Sequence, residues 1–144
     1  MKIIACVDDK MGLMFHNRRQ SKDRKVREDM LMLVPGNLWV SPYTARQFEE
    51  EEQERLLVAE DFLQKAGEGE YCFIEDADVL PYADCIEEVV LYHWNRVYPA
   101  DTFFNLPLTP LEHVERTNLT GHSHPDIVRE IYRKKKEGVE SYEE

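Results

Sequence analysis

The sequence lacks a surplus of positive charge. Its 18 lysine and arginine residues are outnumbered by 29 aspartate and glutamate residues, and the formal net charge is −11 at pH 7. A polyanion such as RNA gains affinity by releasing counterions to lysine and arginine side chains, and anionic lipid attracts basic segments electrostatically. The composition therefore argues against general nucleic-acid binding and against docking on a membrane surface.

Cysteines and long apolar runs are also scarce. The three cysteines, Cys6, Cys72 and Cys85, are an odd number without CxxC spacing, which predicts reduced thiols in the core of an intracellular protein. The apolar run at the N-terminus ends at Asp8 and is too short for a signal peptide or a membrane span. We therefore predict a cytoplasmic protein.

Neither a Gly-x-Ser-x-Gly nucleophile elbow nor a phosphate-binding Walker loop occurs, and no internal repeat or long linker divides the chain. A length of 144 residues with 42% apolar residues suits one domain with one core. We predict a single α/β domain over residues 1–136 and a polar tail over residues 137–144.

Short apolar segments alternate with amphipathic ones in the first half. Strands are predicted at residues 3–7, 38–40, 56–58 and 71–74. The intervening helices are one capped by Ser21 and ended at Pro35, an acidic one at 43–54 and a short one at 60–66. This alternation is typical of a largely parallel, layered sheet.

The second half has a different pattern. Residues 86–94, 102–104 and 111–119 favour strands, which we interpret as antiparallel additions to the sheet. From Ser123 onward the pattern favours a helix, because Ser123 is a suitable cap, Pro125 falls in the first turn and Asp126 takes the capping-box position.

The succession of segments resembles the dihydrofolate reductase family. Residues 4–8, followed by Gly12, are similar to the first strand of that family and its mobile glycine-bearing loop. Residues 83–92 and 101–104 resemble its Ala-Asp-Glu-Leu-Tyr-Leu-Thr strand and its Gly-Asp-Thr-Phe-Phe-Pro element. The resemblance implies a mixed, mostly parallel sheet flanked by short helices, with antiparallel strands in the C-terminal half. It also makes residues 124–136 an edge strand, so that helix and strand are alternatives there.

The residues with which this family holds NADPH are replaced. The family uses Gly-Arg-Lys-Thr at one helix start and Ile-Gly-Gly-Ala at another, where backbone N–H groups approach the diphosphate. Here residues 41–44 are Ser-Pro-Tyr-Thr, of which only Thr44 matches, and residues 74–77 are Ile-Glu-Asp-Ala. A carboxylate about 4 Å from a phosphate is unfavourable by ~1 kcal/mol in water and by ~4 kcal/mol at an effective dielectric constant of about 20. We therefore predict no cofactor, because Glu75 and Asp76 disfavour NADPH, and no reductase activity.

Asp23 is the candidate catalytic residue. The resemblance matches it to the proton-relay carboxylate of the family, a role that suits a carboxylate buried near a pterin. Arg18 and Arg19 replace the Pro-Trp pair that precedes this carboxylate in the family. The alternative is a charge in the first turn of a helix that complements the helix dipole.

Two further stretches supply candidate ligand-binding residues. The six basic residues of segment 18–27 are either a phosphate or RNA-backbone site or a solvated face that balances the acidic run 49–54. In segment 92–98, His93 and Arg96 lie among aromatic residues that line either a ligand pocket or an interaction surface, or that simply pack in the core. The candidate ligand-binding residues are Arg18, Arg19, Thr44, His93 and Arg96.

Residues 121–126, Gly-His-Ser-His-Pro-Asp, are similar to the start of the His-x-His-x-Asp-His motif of metallo-β-lactamase-type nucleases, which include ribonuclease Z. Histidines two apart with a nearby carboxylate can bind zinc, but Ile127 stands where the final histidine belongs. The chain also resembles small bacterial proteins that bear the name ribonuclease Z, without the nuclease motif. We predict no metal site and regard His122, His124 and Asp126 as weak candidates.

These observations lead to two function hypotheses. The first is a module on a dihydrofolate-reductase-like scaffold that binds a small ligand or a protein partner, a second copy of the chain included. The second is an enzyme, either a relic reductase with a different donor or a hydrolase directed at phosphate or RNA.

Overall fold

The computed structural model describes residues 1–135. In chain order the elements are β1 (Lys2–Val7), β2 (Gly12–Phe15), β3 (Arg18–Arg19), α1 (Arg24–Leu33), β4 (Leu38–Val40), α2 (Pro42–Ala45), a 3-10 helix (Glu50–Arg55), β5 (Leu56–Val58), α3 (Phe62–Lys65), β6 (Tyr71–Phe73), a second 3-10 helix (Leu80–Cys85), β7 (Glu88–His93), β8 (Thr102–Phe103), β9 (Leu111–Leu119) and β10 (Ile127–Lys134). The predicted polar tail at 137–144 lies outside the described residues.

Seven of the strands form one sheet in the order β5-β4-β6-β1-β7-β10-β9. Strands β5, β4, β6, β1 and β7 run parallel to one another, and β10 is antiparallel to both of its neighbours. This arrangement confirms the predicted mixed, mostly parallel sheet with antiparallel strands in the C-terminal half. A smaller sheet joins β3, β2 and β8.

The core lies on both faces of the large sheet, which explains the continuous apolar run of β1. Ile4 belongs to the cluster that packs under α1, where Met30 and Tyr92 are fully buried. Ile3 and Val7 face the opposite cluster, together with other side chains that are also fully buried. The helices are short, and none within residues 1–135 is both long and apolar enough to cross a lipid bilayer.

The last described segment is a strand, so the predicted helix from Ser123 is wrong. β10 lies between β7 and β9 and is therefore not the edge of the sheet, which is formed by β9. Its side chains Ile127, Val128 and Ile131 are buried. Pairing with a strand on each side and burial of β-branched side chains outweigh the local capping signals of Ser123 and Pro125.

Two helix predictions need correction. The acidic helix at 43–54 is two separate pieces, because α2 ends at Ala45 and a capping box of Glu49 and Glu52 starts the 3-10 helix anew. Like charges on one helix face also disfavour a longer helix. The N-cap of α1 is Asp23 rather than Ser21, since the Asp23 side chain accepts a hydrogen bond from the backbone of Lys25.

The cysteines differ in their surroundings. Cys72 in β6 is fully buried, and burial raises the pKa of its thiol to about 12. Cys6 is half-buried, and Cys85 is exposed at the end of the second 3-10 helix. The prediction that all three thiols lie in the core is therefore wrong for Cys85, because that 3-10 helix buries none of its residues.

Candidate functional site

The carboxyl ends of β1, β4 and β6 meet at one edge of the sheet, the position at which open α/β sheets bind ligands. Cys6 lies near the end of β1, Thr44 in the helix that follows β4, and Glu75 just beyond β6. The Thr44 hydroxyl donates a hydrogen bond to Oε1 of Glu75 at 2.9 Å. A buried carboxylate thus stands at the point where β4 and β6 end.

Arg19 reaches this carboxylate from the small sheet. Its Nε lies 2.8 Å from Glu75 Oε2, and its Nη2 lies 3.0 Å from Oε1. The guanidinium also lies 4.4 Å from the centre of the Tyr43 ring. Burial alone would lower the pKa of Arg19. The hydrogen bonds to Glu75 and the charge of that carboxylate raise the pKa above its ordinary value. We call Arg19, Tyr43, Thr44 and Glu75 the Glu75 crevice.

The two acidic residues of the segment 74–77, Glu75 and Asp76, differ in position. Glu75 is buried in the crevice, with 9% of its surface exposed, whereas Asp76 is exposed. Cys6 lies close enough to feel the charges of both Glu75 and Asp23. Burial, with these two charges added, raises the pKa of the Cys6 thiol far above its usual range. Cys6 is therefore a protonated thiol and not a nucleophile.

Asp23 forms the centre of a second polar cluster. Its Oδ1 accepts hydrogen bonds from the backbone N–H groups of Lys25 and His122, at 2.9 and 2.8 Å. Its Oδ2 accepts from the Ser123 N–H at 2.8 Å and from Nδ1 of His124 at 2.9 Å. Burial acts to raise the pKa of Asp23, but these hydrogen bonds hold it well below its usual range. Asp23 is an ionised carboxylate that ties the start of α1 to the β9–β10 connection.

The other side of the His124 ring faces a hydroxyl. Nε2 of His124 lies 2.8 Å from Oγ of Ser21, and the ring centre lies 4.6 Å from that of Trp94. His124 is 8% exposed and Trp94 is 3% exposed. Gly121 lies against this cluster so closely that a Cβ atom there would stand 2.6 Å from the His124 carbonyl oxygen and 2.7 Å from Asp23 Oδ2.

Of the five candidate ligand-binding residues, the structure brings only Arg19 and Thr44 together. Arg18 and Arg96 are exposed. His93 points to the face of the sheet opposite to Trp94, where its Nε2 lies 2.8 Å from Glu130 Oε1. The side chain of His93 is thus paired with Glu130 and not with a residue of the Glu75 crevice or with Asp23.

The three weak metal candidates do not converge. His124 is engaged with Asp23 and Ser21, whereas Nδ1 of His122 lies 3.2 Å from a guanidinium nitrogen of Arg24. Asp126 is exposed. Within residues 1–135, no group of three or more histidine, cysteine, aspartate or glutamate side chains is arranged to hold a metal ion.

The sequence does not indicate which polar side chains pair with one another in these two clusters. Ser21 and His124 are separated by 103 positions, and Arg19 and Glu75 by 56. Each residue has its own signal, such as a cap or a basic run, but nothing local indicates that the two members of a pair meet.

No protein-family model and no curated protein matches this sequence. Among solved structures, the chain is similar to dihydrofolate reductase from Enterococcus faecalis in a complex with NADP(H) and RAB-propyl, with a TM-score of 0.66 and 13% sequence identity. The match covers 94% of this chain and 96% of that chain. The predicted dihydrofolate-reductase-like fold is thereby confirmed. The likeness is one of fold alone, and the resemblance to proteins named ribonuclease Z stays a prediction.

Proposed function

We propose that this protein has no reductase activity and uses its dihydrofolate-reductase-like fold to bind a small ligand at the Glu75 crevice. The ion pair of Arg19 with Glu75 is the observation that carries the proposal. It fills the carboxyl end of the sheet with a buried, hydrogen-bonded carboxylate.

The charge of Glu75 disfavours a dinucleotide. Its carboxylate is only 9% exposed and is paired with Arg19, so a phosphate in the crevice would have to displace this ion pair and then lie against a buried carboxylate. The adjacent Asp76 adds a second negative charge, and the Glu75 side chain takes up space that a glycine would leave to the diphosphate. Both effects weaken NADPH binding.

The state of Asp23 disfavours reduction of a pterin. A proton relay works best when its pKa lies near the working pH. Each oxygen of Asp23 already accepts two hydrogen bonds, and these keep its pKa well below the usual range. Asp23 therefore has neither a proton to give near neutral pH nor a free oxygen with which to hold a pterin.

The ligand class follows from the groups that Glu75 already binds. Its two oxygens accept two parallel hydrogen bonds from a planar guanidinium group, the bidentate geometry that is typical of guanidinium–carboxylate pairs. A ligand with an amidinium or guanidinium group would replace Arg19 in this position, while Thr44 keeps the carboxylate in place. The preferred ligand is thus cationic, the opposite of a diphosphate.

Calorimetric titration tests the proposal with three probes, namely NADPH, a folate and a set of small amidines and guanidines. We expect no saturable NADPH binding and saturable binding of at least one cationic compound. A bound compound at about a hundredfold excess over its Kd should raise the free energy of unfolding by ~2.7 kcal/mol.

Two variants make the test specific to the crevice. Glu75→Gln should abolish binding of the cationic compound, whereas the control Asp76→Asn, at an exposed neighbour, should weaken it little. Tight NADPH binding by the unmodified protein, or NADPH-dependent reduction of dihydrofolate, would contradict the proposal.

A further inference from the structure

Three side chains of the second cluster are arranged as a nucleophile (Ser21), a base (His124) and a carboxylate that orients the base (Asp23). Ser21 Oγ lies 2.8 Å from His124 Nε2, and His124 Nδ1 lies 2.9 Å from Asp23 Oδ2. The four hydrogen bonds to Asp23 suit an ionised carboxylate, which favours the tautomer of His124 with the proton on Nδ1 and with Nε2 as the acceptor for the Ser21 hydroxyl. A serine, a histidine and an aspartate in this relation recur on unrelated folds, and they are recognised by geometry rather than by sequence position.

We propose that Ser21 is a nucleophile activated by His124, and that the protein hydrolyses small carboxylic esters. Asp23 is the positioning residue, since within residues 1–135 its carboxylate oxygens accept hydrogen bonds only from the histidine and from backbone N–H groups. This inference is independent of the Glu75 crevice, because none of the crevice residues belongs to the chain of Ser21, His124 and Asp23.

The reaction balances without any co-reactant other than water. Ser21 Oγ attacks the ester carbonyl carbon and its proton moves to His124 Nε2. The bond to the leaving alcohol then breaks, and the alcohol oxygen takes the proton from Nε2, which leaves an acylated Ser21. A water molecule gives a proton to Nε2 and attacks the acyl carbon, the Ser21 ester bond breaks, and Oγ regains the proton. The products are an acid and an alcohol.

The surroundings suit the charges that develop during this reaction. His124 becomes a cation when it takes the proton, and both the ionised Asp23 and the face of the Trp94 ring stabilise a cation. The four hydrogen bonds to Asp23 fix its carboxylate, so that the imidazole is oriented before a substrate arrives. The backbone N–H of Lys22, the residue after the nucleophile, has no hydrogen-bond partner within the described part of the chain and can donate to the oxyanion.

The local charge indicates the class of ester. Lys22, Arg24 and Lys25 are exposed around Ser21, in a chain whose net charge is −11. Glu28 lies 3.9 Å from Arg24 and 3.6 Å from Lys25 and offsets part of this charge. The remaining positive charge attracts a negatively charged molecule toward Ser21. The substrate is therefore an ester that carries a carboxylate or another anionic group on its acyl part.

Covalent labelling tests the nucleophile directly. The full chain is incubated with a fluorophosphonate, which phosphonylates activated serines, and the modified peptide is identified by mass spectrometry. We expect one label per chain, on Ser21. Ser21→Ala should remove the label, whereas the control Thr120→Ala, at an exposed hydroxyl in the β9–β10 connection, should keep it.

Measurements of ester hydrolysis test the roles of His124 as the base and of Asp23 as the carboxylate that orients it. With p-nitrophenyl acetate, we expect Ser21→Ala and His124→Ala each to lower kcat/KM by about a hundredfold. Added imidazole should partly rescue His124→Ala and leave Ser21→Ala unchanged. Asp23→Asn should lower kcat, counted per chain that the fluorophosphonate labels, with little change in KM. A misfolded fraction would lower the number of labelled chains and not the turnover of each. An anionic p-nitrophenyl ester such as the hemisuccinate should have the higher kcat/KM at low salt.

Several outcomes would overturn the inference. Labelling at another serine, or an equal rate of labelling in His124→Ala, would show that Ser21 is not activated. Hydrolysis that survives Ser21→Ala would assign the activity elsewhere. A preference for the neutral ester at low salt would overturn the substrate class. Failure of the amidine titration would leave all of these results unaffected, because it concerns Glu75.

Discussion

His124 and Asp23 are joined by a hydrogen bond of 2.9 Å although 101 positions separate them in the chain. The bond connects the N-cap of α1 with the segment that leads into β10, a strand whose backbone pairs with both β7 and β9. The two neighbouring backbone N–H groups of His122 and Ser123 donate to the same carboxylate. Asp23 is therefore a structural link between the two halves of the fold as well as part of the proposed catalytic site.

Replacing Asp23 by Asn should destabilise the protein and change its response to acid. The amide NH2 would face backbone donors, and a hydrogen bond to a charged group is typically worth ~1.5–3 kcal/mol, so a loss of ~2 kcal/mol or more is expected. The pKa of Asp23 is depressed in the folded state, hence its contribution is present above the unfolded-state pKa of about 4 and is lost as the pH falls below it.

Urea unfolding at a series of pH values measures this effect. The difference between the unmodified protein and Asp23→Asn should be largest near neutral pH and should shrink between about pH 4 and pH 2. Asp126→Asn, at an exposed carboxylate in the same connection, is the control and should change stability by less than ~0.5 kcal/mol. A difference that stays constant with pH would show that the charge of Asp23 is not involved.

Arg19 and Glu75 should be energetically coupled. Arg19→Met leaves the Glu75 carboxylate with Thr44 as its remaining side-chain partner, and loss of one member of a buried pair typically costs ~3–5 kcal/mol. The side chain of Arg19 is 19% exposed, which reduces the expected loss to ~2–3 kcal/mol. The double variant Arg19→Met with Glu75→Gln should be more stable than the sum of the two single changes predicts.

Arg18→Met is the matched control for this pair. Arg18 is the exposed neighbour in the same short strand, and its loss should change the free energy of unfolding by less than ~0.5 kcal/mol. Strict additivity of the effects of Arg19→Met and Glu75→Gln on the free energy of unfolding would show that the ion pair does not stabilise the Glu75 crevice.

The strands of the parallel part could be predicted from the sequence because their signal is local. The apolar residues of β1 and β4 stand next to one another in the sequence and are mostly buried, so each strand can be recognised without knowledge of the strands it pairs with. For β10 the local pattern predicts a helix, because a serine and a proline before an apolar pattern are as suitable for a helix start as for the end of a loop. Only the family resemblance indicates a strand there. The segment is a strand and not a helix because it pairs with β7 and β9, and the local sequence of the segment does not indicate this pairing.

The candidate site shows the same division. Asp23, Thr44, Glu75 and His124 could all be singled out from local patterns and from a family resemblance. Which of these residues meet could not be predicted, because the Arg19–Glu75 and Ser21–His124 contacts depend on where the hairpin of β2 and β3 and the β9–β10 connection lie over the sheet. Long-range contacts of polar side chains leave no periodicity that a single sequence displays.

Gly121→Ala should destabilise the protein and disturb the chain of Ser21, His124 and Asp23. The new Cβ atom would lie 2.6 Å from a backbone oxygen, which cannot move aside as a flexible side chain would. Overpacking of this kind typically costs ~1–3 kcal/mol. Gly36→Ala is the control, since no atom lies within 4 Å of a Cβ there, and it should be close to neutral in urea unfolding. Equal stabilities of the two variants would contradict the tight packing at Gly121.

The three thiols should react in an order set by their surroundings. Cys85 is exposed and should react with Ellman's reagent in a fast phase of one thiol per chain. Cys72 is fully buried with a pKa raised to about 12, and burial together with the charges of Glu75 and Asp23 keeps the Cys6 thiol protonated. Both should therefore react slowly in the folded protein, and all three thiols should react rapidly in urea, because the thiolate is the reactive form. Cys85→Ser should remove the fast phase and leave the slow one, whereas a fast phase that survives this substitution would place a reactive thiolate at Cys6 or Cys72.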